Sequence, residues 1–294
     1  MVDGVRTRDG RWLAVAEQGD PEGTPVVLLH GTPGCRHGTV PEDVVTARPG
    51  VRFISYDRPG YGSSDRRPGR RVADAARDVA ELADALGLDR FTVLGRSGGA
   101  PHALACAALL PGRVRRTAAL VSPAPPDAPG LSWFEGMARS NVEEYTRALT
   151  DPLDFAERLA ARAAAIRSDP AQLLVSIRDG LTDSDRRIIS DPAVSDMLLR
   201  NYRESLSTSA YGWLDDDLAL LSSWGFDPAV ITRPVLLWHG AEDTFSPVGH
   251  FKWLADRIPR ARPVLEPDAG HFGSIRALPA VLDWLCAAPE SRAS

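Results

Sequence analysis

Short apolar runs that end on glycine or histidine, each followed by a stretch with helical spacing, constrain this chain more than any other feature. Pro25-Val-Val-Leu-Leu-His30 is one such run, closed by Gly31. A run without polar alternation reads as a strand buried on both faces, as in a parallel sheet between helical layers. Val51 to Tyr56, Phe91 to Leu94, Thr117 to Val121, Pro234 to His239 and Arg262 to Leu265 are further strand candidates. Between them, Arg71 to Leu86 puts Val72, Ala76, Val79, Leu82, Ala83 and Leu86 on one helical face, and Gly87 follows as a C-cap. Further helices are predicted over Pro101 to Leu110, Val248 to Ile258 and Leu278 to Leu285. Asp9-Gly10, between extended runs from Val5 to Gly19, signals a hairpin. The expectation is an α/β fold with a mostly parallel central sheet and helices on both faces.

The alternation stops once. From Ala124 to Pro228, 105 residues, no strand-like run occurs, while Val142 to Leu149, Pro152 to Ile166 and Val194 to Leu206 have helical spacing. So long a segment is not a structureless loop in a compact domain. It is expected to be an inserted helical cap over 124–228, leaving 1–123 and 229–294 as the core. Charge divides along the same line: the insertion carries 18 acidic and 10 basic residues, against a net charge of -5 for the whole chain.

Several classes drop out. The mild negative charge and dispersed arginines argue against a nucleic-acid partner. The longest apolar run, Ala103 to Leu110, is far short of the roughly 20 residues that cross a bilayer, so no membrane partner is expected. The first ten residues lack the apolar segment of a secretory signal, which makes the cytoplasm the default location. Cys35, Cys106 and Cys286 are odd in number and far apart, unlike a disulfide framework or a zinc site. Gly60-Tyr-Gly-Ser-Ser-Asp65 follows a strand but lacks the third glycine of a dinucleotide fingerprint, and His-Glu-x-x-His and Cys-x-x-Cys are absent. No metal and no cofactor are expected, and no oligomeric state follows from these patterns.

The chemistry-bearing motif is Gly95-Arg96-Ser97-Gly98-Gly99, between a strand and a helix. This is the context a nucleophile elbow requires. A strand that turns abruptly into a helix strains the serine backbone and crowds its neighbours, so small residues flank it. Ser97 would then project above the carboxyl edge of the sheet. His30-Gly31-Thr32-Pro33-Gly34 also follows a buried strand. Such a loop can aim the Thr32 N–H at a substrate oxygen, since Pro33 has none, and with the Gly98 N–H would form an oxyanion hole. His30 is read as a satisfied histidine that fixes the loop, and His102 as a packed one.

On these motifs the whole chain resembles the α/β-hydrolase family, in particular the branch with an HG-x-PG loop and a helical cap. Asp57-Arg-Pro-Gly-Tyr-Gly-Ser-Ser64 is similar to that family's D-x-x-G-x-G-x-S segment. The resemblance implies a Ser-His-Asp triad in the chain order Ser, acid, His. It assigns the acid to Asp243, in Gly240-Ala-Glu-Asp243, and the base to His271, in Gly270-His271 after the last strand. It implies a hydrolase acting on a small-molecule ester, lactone or amide. It also separates the chain from dehalogenases and epoxide hydrolases, which carry Asp where Ser97 stands.

Two alternatives stay open at this level. Proline iminopeptidases of the family show HGGPG and a Trp after the nucleophile, whereas this chain has HGTPG and Gly98. An acidic cap could still hold a substrate ammonium through Glu143, Glu144, Glu204 or Asp215 to Asp217, although a solvated acidic face is the commoner use of such charge. A lyase, a cyclase or a ligand binder on the same scaffold is the other. Arg96, Trp133 and Trp213 are the expected substrate-binding residues. Arg96 has three uses open to it: pairing with a cap carboxylate, binding an acidic or carbonyl group of the substrate, or simple exposure to solvent.

Overall fold

The computed structural model describes residues 3–288; residues 1–2 and 289–294, the outer ends of the expected core ranges, lie outside the described residues. Strands β1 (Gly4–Arg6), β2 (Trp12–Gly19), β3 (Thr24–Leu29), β4 (Val51–Tyr56), β5 (Phe91–Arg96), β6 (Val114–Leu120), β7 (Val235–Gly240) and β8 (Ala261–Glu266) form one sheet. Their order is β1-β2-β4-β3-β5-β6-β7-β8. β1 and β2 make the antiparallel hairpin, with Gly10 at positive φ in its turn, and β2 runs antiparallel to β4. All other pairings are parallel.

The continuous apolar run of β3 serves two faces at once. Val27 and Leu29 join a core with Val79 and Leu82 of α2 (Asp74–Ala85) and Ala103 of α3 (Gly99–Leu109). Val26 and Leu28 pack on the other face with Val44 of α1 (Glu42–Thr46) and Leu278, Val281 and Leu282 of α11 (Gly273–Cys286). Strand side chains alternate between faces, so a strand covered on both sides has no polar position to spare. β3 pairs β4 on one side and β5 on the other, so the direction of sheet growth reverses beside β3. A crevice opens outside the carboxyl ends of the strands at such a point.

Between β6 and β7 the described residues hold helices and no strand: α4 (Arg139–Thr150), α5 (Pro152–Ser168), α6 (Ala171–Ser176), α7 (Asp183–Ile189), α8 (Pro192–Ser205) and α9 (Tyr211–Leu220). Phe155, Leu159, Ile166, Met197, Leu198 and Trp213 form their own apolar cluster, which also takes in Tyr61, Phe272 and Ile275. α9 belongs to both regions, because Ala219, Leu220 and then Trp224 pack with Leu104 and Leu237 on the sheet side. Helix α10 (Val248–Arg257) lies beside β7. No helix of the described residues is long and apolar enough to cross a membrane.

Two helix readings need correction. α11 starts at Gly273, five residues before the expected Leu278, and carries Pro279 inside it. Proline is best tolerated in a first turn, which favours a start near Leu278; burial of Ile275, Leu278 and Leu282 overrides that preference. In α9, Asp215, Asp216 and Asp217 are not a solvated face, since all three are buried.

Candidate active site

The carboxyl ends of β3, β5, β7 and β8 bring the candidate residues together. Ser97 sits between β5 and α3 at φ 54, one of two non-glycine residues of the described chain at positive φ. The glycines around it are required by contact. A Cβ on Gly95 would lie 2.3 Å from the Gly99 carbonyl oxygen, and one on Gly99 would lie 2.2 Å from that of Leu29. Only a bare backbone permits strand and helix to meet this closely.

Ser97 Oγ lies 3.0 Å from His271 Nε2, and His271 Nδ1 lies 2.8 Å from Asp243 Oδ2. Asp243 Oδ1 accepts the Phe245 N–H at 2.8 Å and the Ser246 N–H at 3.0 Å, so both carboxylate oxygens are engaged. Burial pushes the Asp243 carboxyl up, but His271 and the Ser246 N–H outweigh that and hold it below its ordinary value. An ionised carboxylate only accepts, so Nδ1 carries the imidazole proton and Nε2 faces the serine hydroxyl as an acceptor. Glu242, next in sequence to Asp243, is exposed.

The inserted helices brace the histidine loop. Asp185 of α7 accepts the Phe272 N–H at 2.7 Å and Ser184 accepts the Gly270 N–H at 3.1 Å. A Cβ on Gly270 would come within 2.2 Å of the Asp185 carboxylate.

The loop after β3 brings Thr32 against Gly98: a Cβ on Gly98 would stand 2.1 Å from Thr32 Oγ1 and 3.4 Å from its backbone nitrogen. The N–H groups of Thr32 and Gly98 have no hydrogen-bond partner among the described residues. His30 holds the loop as a satisfied histidine, with Nδ1 bonded to the Gly31 carbonyl at 2.8 Å and Nε2 accepting the Arg58 N–H at 3.1 Å. His102 is packed, with Nδ1 bonded to the Gly98 carbonyl at 2.6 Å; burial first, then Arg58, holds its pKa down to about 3.

Asp216, one of the acids considered for a substrate ammonium, has a different role, which the sequence did not reveal. Its buried carboxylate accepts from Thr32 Oγ1 at 2.7 Å, Tyr61 OH at 2.8 Å, Arg58 Nε at 3.2 Å and Arg70 Nη2 at 2.6 Å. Burial pushes this carboxyl up, yet Arg58 and Arg70 hold it well below the usual range. Arg58 also donates to the carbonyls of His30 and Gly31, so one buried ion cluster fixes the loop on which Thr32 sits. Arg58 and Tyr61 were visible in the Asp57 to Ser64 segment, but nothing local tied them to residue 216.

A cavity of about 110 Å³ opens over Ser97, His271, Thr32 and Gly98. Glu144, Tyr145, Arg162, Tyr202, Trp213 and Asp217 of the inserted helices line its other walls. Trp213 is one of these lining residues, with Arg162 stacked over its ring at 4.7 Å. Trp133 is not. Its Nε1 donates to the Ala124 carbonyl at 2.9 Å, and its ring packs edge-on against Phe134, Tyr145 and His250 outside the cavity lining.

The acidic residues considered for an ammonium are almost all neutralised. Glu143 pairs with Arg139 on the surface, Glu204 with Arg36 at 3.3 Å, and Asp215 with Arg66 in a two-point bond at 2.8 Å. Glu144 pairs with Arg162. Asp217 keeps an unpartnered buried Oδ2, and burial together with Glu144 and Asp216 pushes its carboxyl well above the ordinary value. Among the described residues no cluster of histidine, cysteine and carboxylates is arranged to hold a metal.

The match to a family model decides the kinship: residues 24–277 fit the alpha/beta hydrolase fold. The chain belongs to the α/β-hydrolase fold family. It is 30% identical over 265 residues to a non-heme chloroperoxidase of Streptomyces lividans, covering 89% of this chain and 87% of that one. A pimeloyl-[acyl-carrier protein] methyl ester esterase of Nitrosomonas europaea is 29% identical over 251 residues, 85% of this chain and 89% of the relative. A solved hydrolase of Pseudomonas aeruginosa superposes with a TM-score of 0.67 at 23% identity, covering 97% and 98% of the two chains, and shares the fold.

Proposed function

We propose that this enzyme is a serine hydrolase that cleaves a small-molecule ester, lactone or amide in the cytoplasm through an acyl-enzyme. The observation that carries the reading is the continuous chain from Ser97 Oγ through His271 to Asp243, at 3.0 and 2.8 Å, opening on a cavity. Ser97 Oγ attacks the substrate carbonyl while His271 Nε2 takes its proton, then hands it to the leaving group. Asp243 holds the tautomer and stabilises the imidazolium. The unpartnered N–H groups of Thr32 and Gly98 stabilise the oxyanion, worth roughly 10²–10³ in rate per donor. Water attacks the acyl-enzyme with His271 again as base, releasing the acid and restoring the serine. The helices of 124–228 act as a cap that closes the cavity.

The aminopeptidase alternative is weakened because the acids meant for an ammonium are paired with arginines or, at Asp217, held toward the neutral form. Labelling with a fluorophosphonate, followed by a panel of p-nitrophenyl esters and aminoacyl amides, tests the reading. Absence of label on Ser97 together with no ester turnover would overturn it and leave the lyase or binder alternative.

A further inference from the structure

The charges that line the cavity do not balance evenly. Glu144 is paired with Arg162, and Asp217 is held toward its neutral form beside Glu144. Arg96 has no paired carboxylate, and Asp185 and Asp243 act on it only from beyond ion-pair distance, too weakly to offset its burial. No carboxylate of the described residues lies within ion-pair distance of its guanidinium, so the cap pairing that the sequence left open does not occur. Nor is the side chain simply in solvent, because it lines the cavity beside Ser97. Its Nε donates to Ser274 Oγ at 2.8 Å, and its guanidinium lies 5.0 Å from the centre of the Phe272 ring. Its Nη2 is buried with no hydrogen-bond partner.

A guanidinium held by one neutral hydroxyl and one aromatic face is costly to bury, and a buried donor without an acceptor adds to that cost. Such a group is compensated when a carboxylate supplies acceptors for its planar fork. Tyr202 lines the same cavity and its phenol makes no hydrogen bond among the described residues. Burial pushes that phenol up to about 12, so it remains an O–H donor.

We infer that Arg96, assisted by Tyr202, is a carboxylate subsite, and that the substrate carries a free carboxylate close to the bond that is cleaved. This rests on the hydrolase reading above and narrows it to esters or lactones of carboxylate-bearing acids or alcohols. The serine and the guanidinium are consecutive residues on one cavity wall, so the anionic group and the scissile carbonyl belong to one compact molecule.

Matched ester pairs test this. The p-nitrophenyl monoesters of glutarate and adipate are compared with their methyl-capped counterparts, and 4-acetoxybenzoate with its methyl ester, which covers a carboxylate on either side of the bond. The expected result is a kcat/KM at least about tenfold higher for the carboxylate member of one or more pairs, carried mainly by KM. In Arg96→Met, carboxylate esters should lose about 10–100-fold more than neutral ones, the range of a charge-assisted hydrogen bond. Arg96→Lys should recover part of the preference, and Tyr202→Phe should lose a smaller part. A purely structural Arg96, acting through Ser274 on the His271 loop, would lower both members equally and overturn the inference. So would a preference for the neutral member in every pair, or for p-nitrophenyl 6-aminohexanoate, which would point to Asp217 and Glu144 instead. A binding arm needs no turnover: glutarate, but not its diamide, should raise the Tm of the wild type and of Ser97→Ala, and not of Arg96→Met. No difference between glutarate and the diamide overturns the subsite whatever the enzyme hydrolyses. Failed labelling of Ser97 with a retained glutarate effect overturns the hydrolase reading alone.

Discussion

The sheet edge and helix α9 both present carboxylates to the site, and they are governed differently. Asp243 lies in a tight turn after β7, where the N–H groups of Phe245 and Ser246 and the ring of His271 set its state. Two of those three partners are within three residues of it. Asp216 and Asp217 are consecutive on α9, equally buried, and driven in opposite directions. The first faces Arg58 and Arg70 of the sheet domain, the second faces Glu144 of α4. Successive helix residues point about 100° apart, so neighbours in sequence need share no surroundings. A carboxylate on a strand-end turn is oriented by N–H groups of its own segment, and here one loop 28 residues on supplies its charge partner, His271. One on a packed helix takes its chemistry from whichever elements the fold sets against it.

The largest effect that tests this contrast is at the sheet edge. Ser97→Ala should remove at least about 10³ of kcat while circular dichroism and the unfolding transition stay as in the wild type. Retention of more than a tenth of the activity would take Ser97 out of the nucleophile role.

The α9 side of the contrast is sharpest at Asp216. Asp216→Asn leaves two buried guanidinium groups without their carboxylate, which should cost about 3–5 kcal/mol in denaturant unfolding. Activity should drop as well, since Thr32 loses its anchor. A loss of stability below about 1 kcal/mol would mean that the ion cluster does not hold the loop.

Asp217→Asn should act in the opposite sense and with smaller size. A carboxyl whose folded value is raised contributes stability that is fully present below the ordinary value of 3.8 and is lost as pH rises through the raised one. The variant mimics the neutral acid and lacks this loss. Its Tm advantage over the wild type should therefore grow from about pH 4 toward neutrality. A difference independent of pH would show that Asp217 is ionised throughout.

The smallest effect is expected at Trp133, where Trp133→Phe removes one buried hydrogen bond and should cost about 0.5–1.5 kcal/mol, with kcat/KM for p-nitrophenyl esters unaltered. A kinetic change there would return Trp133 to the substrate wall.

The sequence by itself determined the parts whose information is local. The unbroken apolar runs of β3 and β7 named strands covered on both faces, because period-2 side chains leave no polar position where both sides are buried. The glycines around Ser97 marked a strand-to-helix turn, because only hydrogen atoms fit where Gly95 and Gly99 meet neighbouring carbonyls. Family resemblance, more than spacing, singled out Asp243 and His271. The tertiary structure alone decided the rest. It turned the run Asp215 to Asp217 from a plausible solvated face into three buried carboxylates with different partners, sent Trp133 out of the cavity, and left Arg96 inside it without a counter-ion. Those outcomes depend on contacts such as Asp216 with Arg58, 158 positions apart, which no local pattern encodes. The energy of a buried charge is fixed by the groups within a few ångströms of it, and for an inserted helix those groups are supplied by distant parts of the chain.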